Sequence, residues 1–121
     1  MESILTSIKQ MLGIEEIATN FDAEIIMYIN SVFFTLNQLG VGPAVCYVLS
    51  SKDQVWNEFL EGRVDLEAVK TYVYIKTRVI FDPPTSSYIL DSLERLAIQH
   101  EWRLLTQVDP IPVEAVVLNE T

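Results

Sequence analysis

A long stretch without any charged residue, residues 25–51, constrains the fold of this chain more than any other feature. It exceeds the roughly 20 apolar residues that a membrane-spanning helix needs. However, polar amides and hydroxyls recur through its first half, and Gly40, Gly42 and Pro43 interrupt it where such a helix would have to continue. Because amides are costly to bury in hydrocarbon, the composition argues against a transmembrane helix.

The first half of the stretch instead has the repeat of a soluble helix. Its apolar residues are spaced by four and three positions, which places them on one side of an α-helix in a helical bundle. These residues are Ile25, Ile29, Val32, Leu36 and Leu39. Asp22 and Glu24 suit the positive N-terminal end of this helix, which we expect to begin near Asp22 and to end at Gly40.

Two short helices are predicted on either side of this long one. The first covers residues 3–12. After the glycines, residues 44–49 favour a brief extended segment because they are rich in Val and Tyr. Ser51 and Gln54 have the spacing of a capping box, and they precede an apolar pattern that predicts a third helix ending at Gly62.

Two longer helices follow. The fourth, over residues 66–81, is apolar around more than half of its circumference, so we expect it to be central. Asp82, Pro83 and Pro84 end it, because proline donates no backbone hydrogen bond and displaces the preceding residue from helical geometry. A fifth helix is capped within residues 85–87 and reaches about Gln107. Its predicted apolar line is Ile89, Leu93, Leu96, His100 and Leu104.

The sequence therefore predicts an all-α fold: a small bundle of about five helices over residues 1–107 and an extended C-terminal tail over residues 108–121. The tail combines two prolines with apolar residues that follow no helical repeat. Its apolar residues include Ile111, Val113, Val116, Val117 and Leu118. Such a tail is explained if it pairs with another chain, for example as a strand added to a partner's sheet edge. A frayed terminus is the alternative.

The chemically reactive side chains are few. His100 is the only histidine and Cys46 the only cysteine. We interpret His100 as hydrogen-bonded within a core or interface and Cys46 as a small buried apolar residue; a nucleophilic pair would need the two to meet in space. No metal-binding spacing occurs, and residues 40–43 lack the third glycine of a dinucleotide fingerprint. We predict no catalytic residues, no metal and no cofactor.

Composition adds constraints on partners. Apolar residues make up 50% of the chain, and 17 acidic residues against 8 basic ones give a net charge of −9. So apolar a chain is not disordered, and its surplus of apolar residues suggests self-association. The scattered bases argue against tight DNA binding, whereas an acidic lining along which DNA slides is compatible with the charge. The lone cysteine and the missing signal peptide favour folding in a reducing cytoplasm.

Four segments carry a resemblance to a known family: residues 22–30 (DAEIIMYIN), 36–43 (LNQLGVGP), 69–88 (VKTYVYIKTRVIFDPPTSSY) and 101–104 (EWRL). They are similar to the connector, or adaptor, proteins of tailed bacteriophages, which sit between portal and tail. The similarity covers roughly residues 1–107, and FDPPTSS is its most specific element. Residues 44–52 and the tail after Pro110 carry no clear part of the resemblance.

The resemblance implies a structural virion protein, a head-tail connector subunit without catalytic residues. Its copies would form a homo-oligomeric ring, usually a dodecamer, beneath the portal. Such a ring extends the DNA channel and offers a docking surface for the next head-completion or tail protein. The resemblance further implies assembly in the cytoplasm of the bacterial host and a final place at the head-tail interface. From the residues themselves we expect no membrane partner and no sequence-specific contact with nucleic acid.

In this family the C-terminal segment tends to reach toward the portal. The resemblance thus makes five tail residues candidates for portal binding: Ile111, Val113, Val116, Val117 and Leu118. Large aromatic residues are the candidate anchors between subunits, and we select Tyr72, Tyr74 and Trp102. The domain's own core is the alternative place for each of them. The alternative function is a cytosolic helical interaction module, such as a dimeric regulator, and a small enzyme of unrecognised type is a third.

Overall fold

The computed structural model describes residues 2–61 and 68–108. Over these ranges the chain forms five helices: α1 (Ile4–Met11), α2 (Asp22–Gln38), α3 (Trp56–Leu60), α4 (Ala68–Phe81) and α5 (Ser87–Val108). No strand occurs within them, and an isolated bridge pairs Ser3 with Val55. The all-α prediction with five helices is confirmed. The tail after Val108, the predicted helix end at Gly62 and the predicted start of the fourth helix lie outside the described residues.

α4 is the centre of the bundle, as its broad apolar surface predicted. It packs against α1, α2 and α5. Phe81 at its C-terminal end meets the rings of Phe21 and Tyr28 at the start of α2, with centroids 5.4 and 6.4 Å away, so α2 runs antiparallel to α4. Glu2 forms a 2.8 Å ion pair with Lys70, which places the starts of α1 and α4 together.

The aromatic part of the core joins α2 to α3 and to the loop between them. The Phe33 ring stacks on Phe59 with centroids 4.5 Å apart, and Tyr47 and Trp56 approach the same ring edge-on at 5.7 and 6.4 Å. Such edge and offset contacts add to the gain from burial. Trp56 also donates its Nε1–H to Ser7 Oγ at 2.7 Å, which fixes α3 against α1.

Lys9 is buried at the end of α1, with only 2% of its surface exposed. Its Nζ lies 2.8 Å from Asp22 Oδ1 and donates to the carbonyl oxygens of Glu16 and Ala18 at 3.0 and 2.8 Å. A buried ammonium is tolerated only when its donors are satisfied, as they are here. The side chain therefore ties α1, the following loop and the start of α2 together.

The third helix begins later than the sequence pattern predicts. Gln54 Oε1 accepts a hydrogen bond from the Ser51 N–H, as in a capping box, but this contact closes a turn before the helix. α3 starts at Trp56, and Glu58 Oε1 accepts from the Val55 N–H at 2.9 Å. Glu58 thus has the role that the prediction assigned to Gln54.

Residues 44–49, predicted as a brief extended segment, form no β-bridge. The segment runs back along α2 instead, held by hydrogen bonds from α2 side chains. Within the described ranges, none of the helices has the length and apolar character that a membrane crossing requires.

The last helix turns a different side to the core from the one predicted. Ser86 caps it, accepting from the Ile89 N–H at 3.4 Å. The side chains that pack inward are Leu93, Ala97, His100 and Leu104. Ile89 and Leu96 are exposed, so the predicted line was wrong at these two positions. Ala97, which is 3% exposed, takes the place of Leu96 in the buried line.

Candidate assembly surfaces

Beyond its first turn, which carries the exposed Glu24, the outward side of α2 bears no charge and presents large apolar side chains. Met27 and Phe34 are 59% and 57% exposed. They lie seven residues apart, so they project from the same side of the helix, about half a turn from the buried line through Ile29 and Leu36. Ser31 lies between them. A surface that is rich in Met and aromatic residues and free of charge is typical of the centre of a protein interface.

Two asparagines fix the neighbouring loop against α2. Asn30 donates through Nδ2 to the Leu49 carbonyl at 2.9 Å and accepts the Leu49 N–H at 2.7 Å. Two turns later, Asn37 Nδ2 lies 3.4 Å from the Pro43 carbonyl oxygen and 3.5 Å from that of Ala44. The loop backbone is thereby held along the helix at both ends.

The fixed loop extends the uncharged surface of α2. Val45 and Val48, which lie between the two attachment points, are largely exposed. They belong to the same charge-free stretch as the helix. We call the set Met27, Ser31, Phe34, Val45 and Val48 the α2 face.

A second apolar surface lies between α4 and α5. It is an open groove of about 300 Å³ whose apolar lining is Val79, Ile80, Ala97 and Ile98 and whose charged residues are Lys76, Glu94 and Glu101. Ile98 is 64% exposed, and Trp102, one turn further along α5, is 70% exposed. We call this surface the α4–α5 groove.

Glu101 also affects the buried side of the groove. Tyr72 projects from α4 into the core, where burial raises the pKa of its phenol, and the nearby Glu101 carboxylate raises it further. A tyrosine is neutral at physiological pH at its ordinary pKa, and both effects move the pKa of Tyr72 further above that range. A phenolate would be costly in this buried position beside a carboxylate, so Tyr72 packs there as a neutral side chain.

The three predicted subunit anchors differ in how exposed their side chains are. Tyr72 is fully buried, so it belongs to the domain's own core and offers no free surface. Tyr74 is half-buried, and its hydroxyl oxygen accepts a hydrogen bond from Arg78 at 3.0 Å; both line a hollow beside the end of α1. Trp102 alone of the three is largely exposed, beside the α4–α5 groove.

Of the other predicted positions, the junction residues lie within the described residues and the tail residues lie outside them. Asp82 and Pro83 are exposed and Pro84 is half-buried in the junction between α4 and α5, as predicted from the two prolines. The portal-binding candidates lie outside the described residues: Ile111, Val113, Val116, Val117 and Leu118.

The two candidate nucleophile partners lie on separate elements. His100 is buried in α5, with Nδ1 2.9 Å from the Leu96 carbonyl oxygen. Cys46 is half-buried in the loop along α2. In the part of the chain that the structure covers, no group of three or more His, Cys, Asp or Glu could hold a metal ion.

Sequence reasoning missed the α2 face and Ile98 as surface features. A signal for the former was present, since a helix whose outward side faces only water normally carries charges there. α2 has none beyond its first turn. For Ile98 the sequence offers no comparable signal, because apolar residues occur on several sides of α5.

Two exposed apolar surfaces on a small helical domain are typical of a protein that binds other chains. Comparison with known families agrees: the family model described as phage connector protein matches residues 4–110. The chain belongs to this family of structural phage proteins. The match spans all five helices, so the resemblance seen in the sequence is confirmed. Searches of curated proteins and of solved structures gave no match.

Proposed function

We propose that the chain is a head-tail connector subunit, whose copies form a ring beneath the portal and extend the channel for the genome. The observation that carries this proposal is the family match across every helix of the bundle. The two exposed apolar surfaces support it, because a ring subunit needs surfaces that neighbouring copies can cover.

The charge distribution supports a channel through which DNA moves without being held. Several of the few basic residues are already engaged: Lys9 with Asp22, Lys70 with Glu2 and Arg78 with the Tyr74 hydroxyl. DNA affinity arises mainly from Lys and Arg that neutralise phosphates. A chain of net charge −9, two of whose eight bases are paired with carboxylates, would hold DNA weakly and would read no DNA sequence.

The proposal assigns partners to both ends of the ring. The portal is on the head side, contacted by the tail residues Ile111 to Leu118, and the next head-completion or tail protein binds on the other side. The subunit assembles in the cytoplasm of the bacterial host and ends at the head-tail interface of the virion. This role is structural and uses no catalytic residue or cofactor.

Electron microscopy of the purified chain mixed with the portal protein of the same phage tests the proposal. We expect a ring of this chain on one face of the portal. The portal is included because some ring subunits assemble only on a template. A chain that forms a stable dimer and does not bind the portal would contradict the connector function and would favour a dimeric regulator.

A further inference from the structure

We propose that the α2 face of one copy docks into the α4–α5 groove of the next copy. The proposal rests on the self-assembly proposed above and adds which two surfaces meet. The contact joins Met27 and Phe34 of one subunit to the apolar residues around Ile80 and Ile98 of its neighbour.

Electrostatics selects the α2 face as the place of approach. Each copy carries a net charge of −9, so two copies repel one another over most of their surface. The interval from residue 25 to residue 51 holds no acid that would face an acid of the neighbour. Like-charged copies therefore meet less repulsion here than elsewhere, although the exposed Glu24 borders the face one turn before Met27.

The same lack of charge restricts what can cover the α2 face. A charged partner surface would lose hydration on contact and gain no ion pair. The occupant must therefore be apolar at its centre. The α4–α5 groove meets this condition, since Val79, Ile80, Ala97 and Ile98 line it.

The charges of the groove fit an interface rim. Lys76, Glu94 and Glu101 accompany the apolar lining. Charged residues around an apolar centre are the common arrangement of protein interfaces, in which the rim stays in contact with water. Trp102, exposed one turn beyond Ile98, supplies the kind of aromatic side chain that often dominates binding energy.

The positions of the two surfaces make the contact heterologous. α2 and α5 each pack on α4 far more than on one another. The α2 face lies on the side of α2 opposite to the buried Ile29 and Leu36, whereas the groove opens between α4 and α5. The two surfaces thus face different directions. A contact between two different surfaces repeats from copy to copy and closes into a ring when the rotation fits.

The α2 face is also ordered before any contact forms. Asn30 and Asn37 hold the loop on both sides of Val45 and Val48. Binding therefore requires little additional ordering of this loop, which favours association.

Cysteine cross-linking tests the proposal. In a Cys46→Ser background, which removes the only native thiol, we would prepare Phe34→Cys, Ile98→Cys and the double variant. The chains are treated with a short bis-maleimide, which tolerates a wider separation than a disulfide does. Treatment is carried out on the chain alone at high concentration and on the chain bound to the portal of the same phage.

We expect no cross-linked dimer from either single variant, a dimer when the two are mixed, and a ladder beyond the dimer from the double variant. A matched control combines Ile98→Cys with Gln10→Cys, at an exposed position of α1 outside both surfaces; it should give no ladder. Circular dichroism of every variant verifies that the helices are retained.

Several results would overturn the proposal. Dimers from Phe34→Cys alone would mean that two α2 faces meet. Cross-links only to the portal would make the α2 face or the groove a portal site. A ladder that forms only after removal of residues 109–121 would mean that the chain's own tail occupies the groove.

The outcomes also separate this inference from the proposed function. Rings on the portal without a ladder would overturn the assignment of these two surfaces and leave the connector function standing. A ladder from a chain that does not bind the portal would support the contact and contradict the connector function.

Discussion

The buried ion pair between Lys9 and Asp22 leads to a prediction whose magnitude follows from the structure. Lys9→Met keeps the apolar stem of the side chain but removes the ammonium group. Three contacts are lost: Asp22 Oδ1 at 2.8 Å, the Glu16 carbonyl at 3.0 Å and the Ala18 carbonyl at 2.8 Å. All three oxygens would then need new partners.

The expected loss of stability is somewhat smaller than for a fully buried ion pair. Removing one member of a fully buried ion pair costs about 3–5 kcal/mol. Asp22 Oδ1 is itself buried, but the side chain keeps 26% of its surface exposed, so water at the rest of the carboxylate can offset part of the lost interaction. We therefore expect Lys9→Met to lower the free energy of unfolding by about 2–4 kcal/mol. With a slope near 2 kcal/mol per M, this moves the urea midpoint down by about 1–2 M.

Urea unfolding followed by circular dichroism, at a concentration where the chain is monomeric, measures this loss. Lys52→Met is the matched control: Lys52 is exposed, so its replacement should change stability by less than about 0.5 kcal/mol. A protease that cleaves after glutamate should also cut at Glu15 and Glu16 faster in Lys9→Met, because the loop loses its attachment. A loss below about 1 kcal/mol with unchanged cleavage would refute the reasoning.

Three further predictions concern the loop, α2 and the tail. Gly42→Ala should lower the free energy of unfolding by about 1–3 kcal/mol in the same assay, because φ is +92° and a Cβ would lie 2.7 Å from the Phe59 ring. Gly13→Ala is the control: its φ is +80°, but the space around it is open, so the loss should be smaller. Asn30→Ala should lower the free energy of unfolding by about 1–3 kcal/mol and speed amide exchange in the loop, because both hydrogen bonds between the Asn30 side chain and the Leu49 backbone are lost. Deletion of residues 110–121 should leave the helical circular dichroism nearly unchanged and weaken portal binding.

Each of these predictions has a contradicting result. Equal losses for the two glycine variants would mean that backbone strain, not the contact with Phe59, decides the effect. Unchanged amide exchange in Asn30→Ala would mean that the loop is held by other contacts. Portal binding by the shortened chain as strong as that of the full chain would remove the tail from the proposed portal contact.

Helical periodicity was sufficient to predict α2 and α4. Their apolar residues recur with a clear spacing, and glycine or proline ends each pattern. α2 ends two residues before Gly40, and α4 ends at Phe81, directly before the Asp82–Pro83–Pro84 junction. At these places local chemistry and tertiary packing favour the same structure.

The start of α3 depends on contacts that the local sequence does not contain. The Ile4 N–H donates to the Gln54 carbonyl at 3.0 Å, and the Trp56 N–H donates to the Glu2 carbonyl at 3.1 Å. These bonds to the N-terminal segment hold the residues before Trp56 in an extended conformation. A helix beginning after Ser51 would break them, so the capping pattern is used for a turn.

The environment of Lys9 could not be predicted for a related reason. Its three oxygen partners come from two loop residues and from the start of α2, which share no periodic spacing with Lys9. From the sequence alone, a single lysine in a short amphipathic helix is expected to face water. Only the path of the loop around its ammonium group makes burial favourable.

The charge-free stretch is only partly explained by the fold of one chain. The bundle core uses the side of α2 that carries Ile29 and Leu36, and the two asparagines hold the loop. Neither the packing of the core nor the attachment of the loop prevents charges on the outward side, where Met27 and Phe34 are exposed to solvent. In a chain of net charge −9, an uncharged side is the side on which another copy meets least repulsion. In the proposed assembly, the acidic remainder would keep free subunits apart at low concentration and would confine association to this surface.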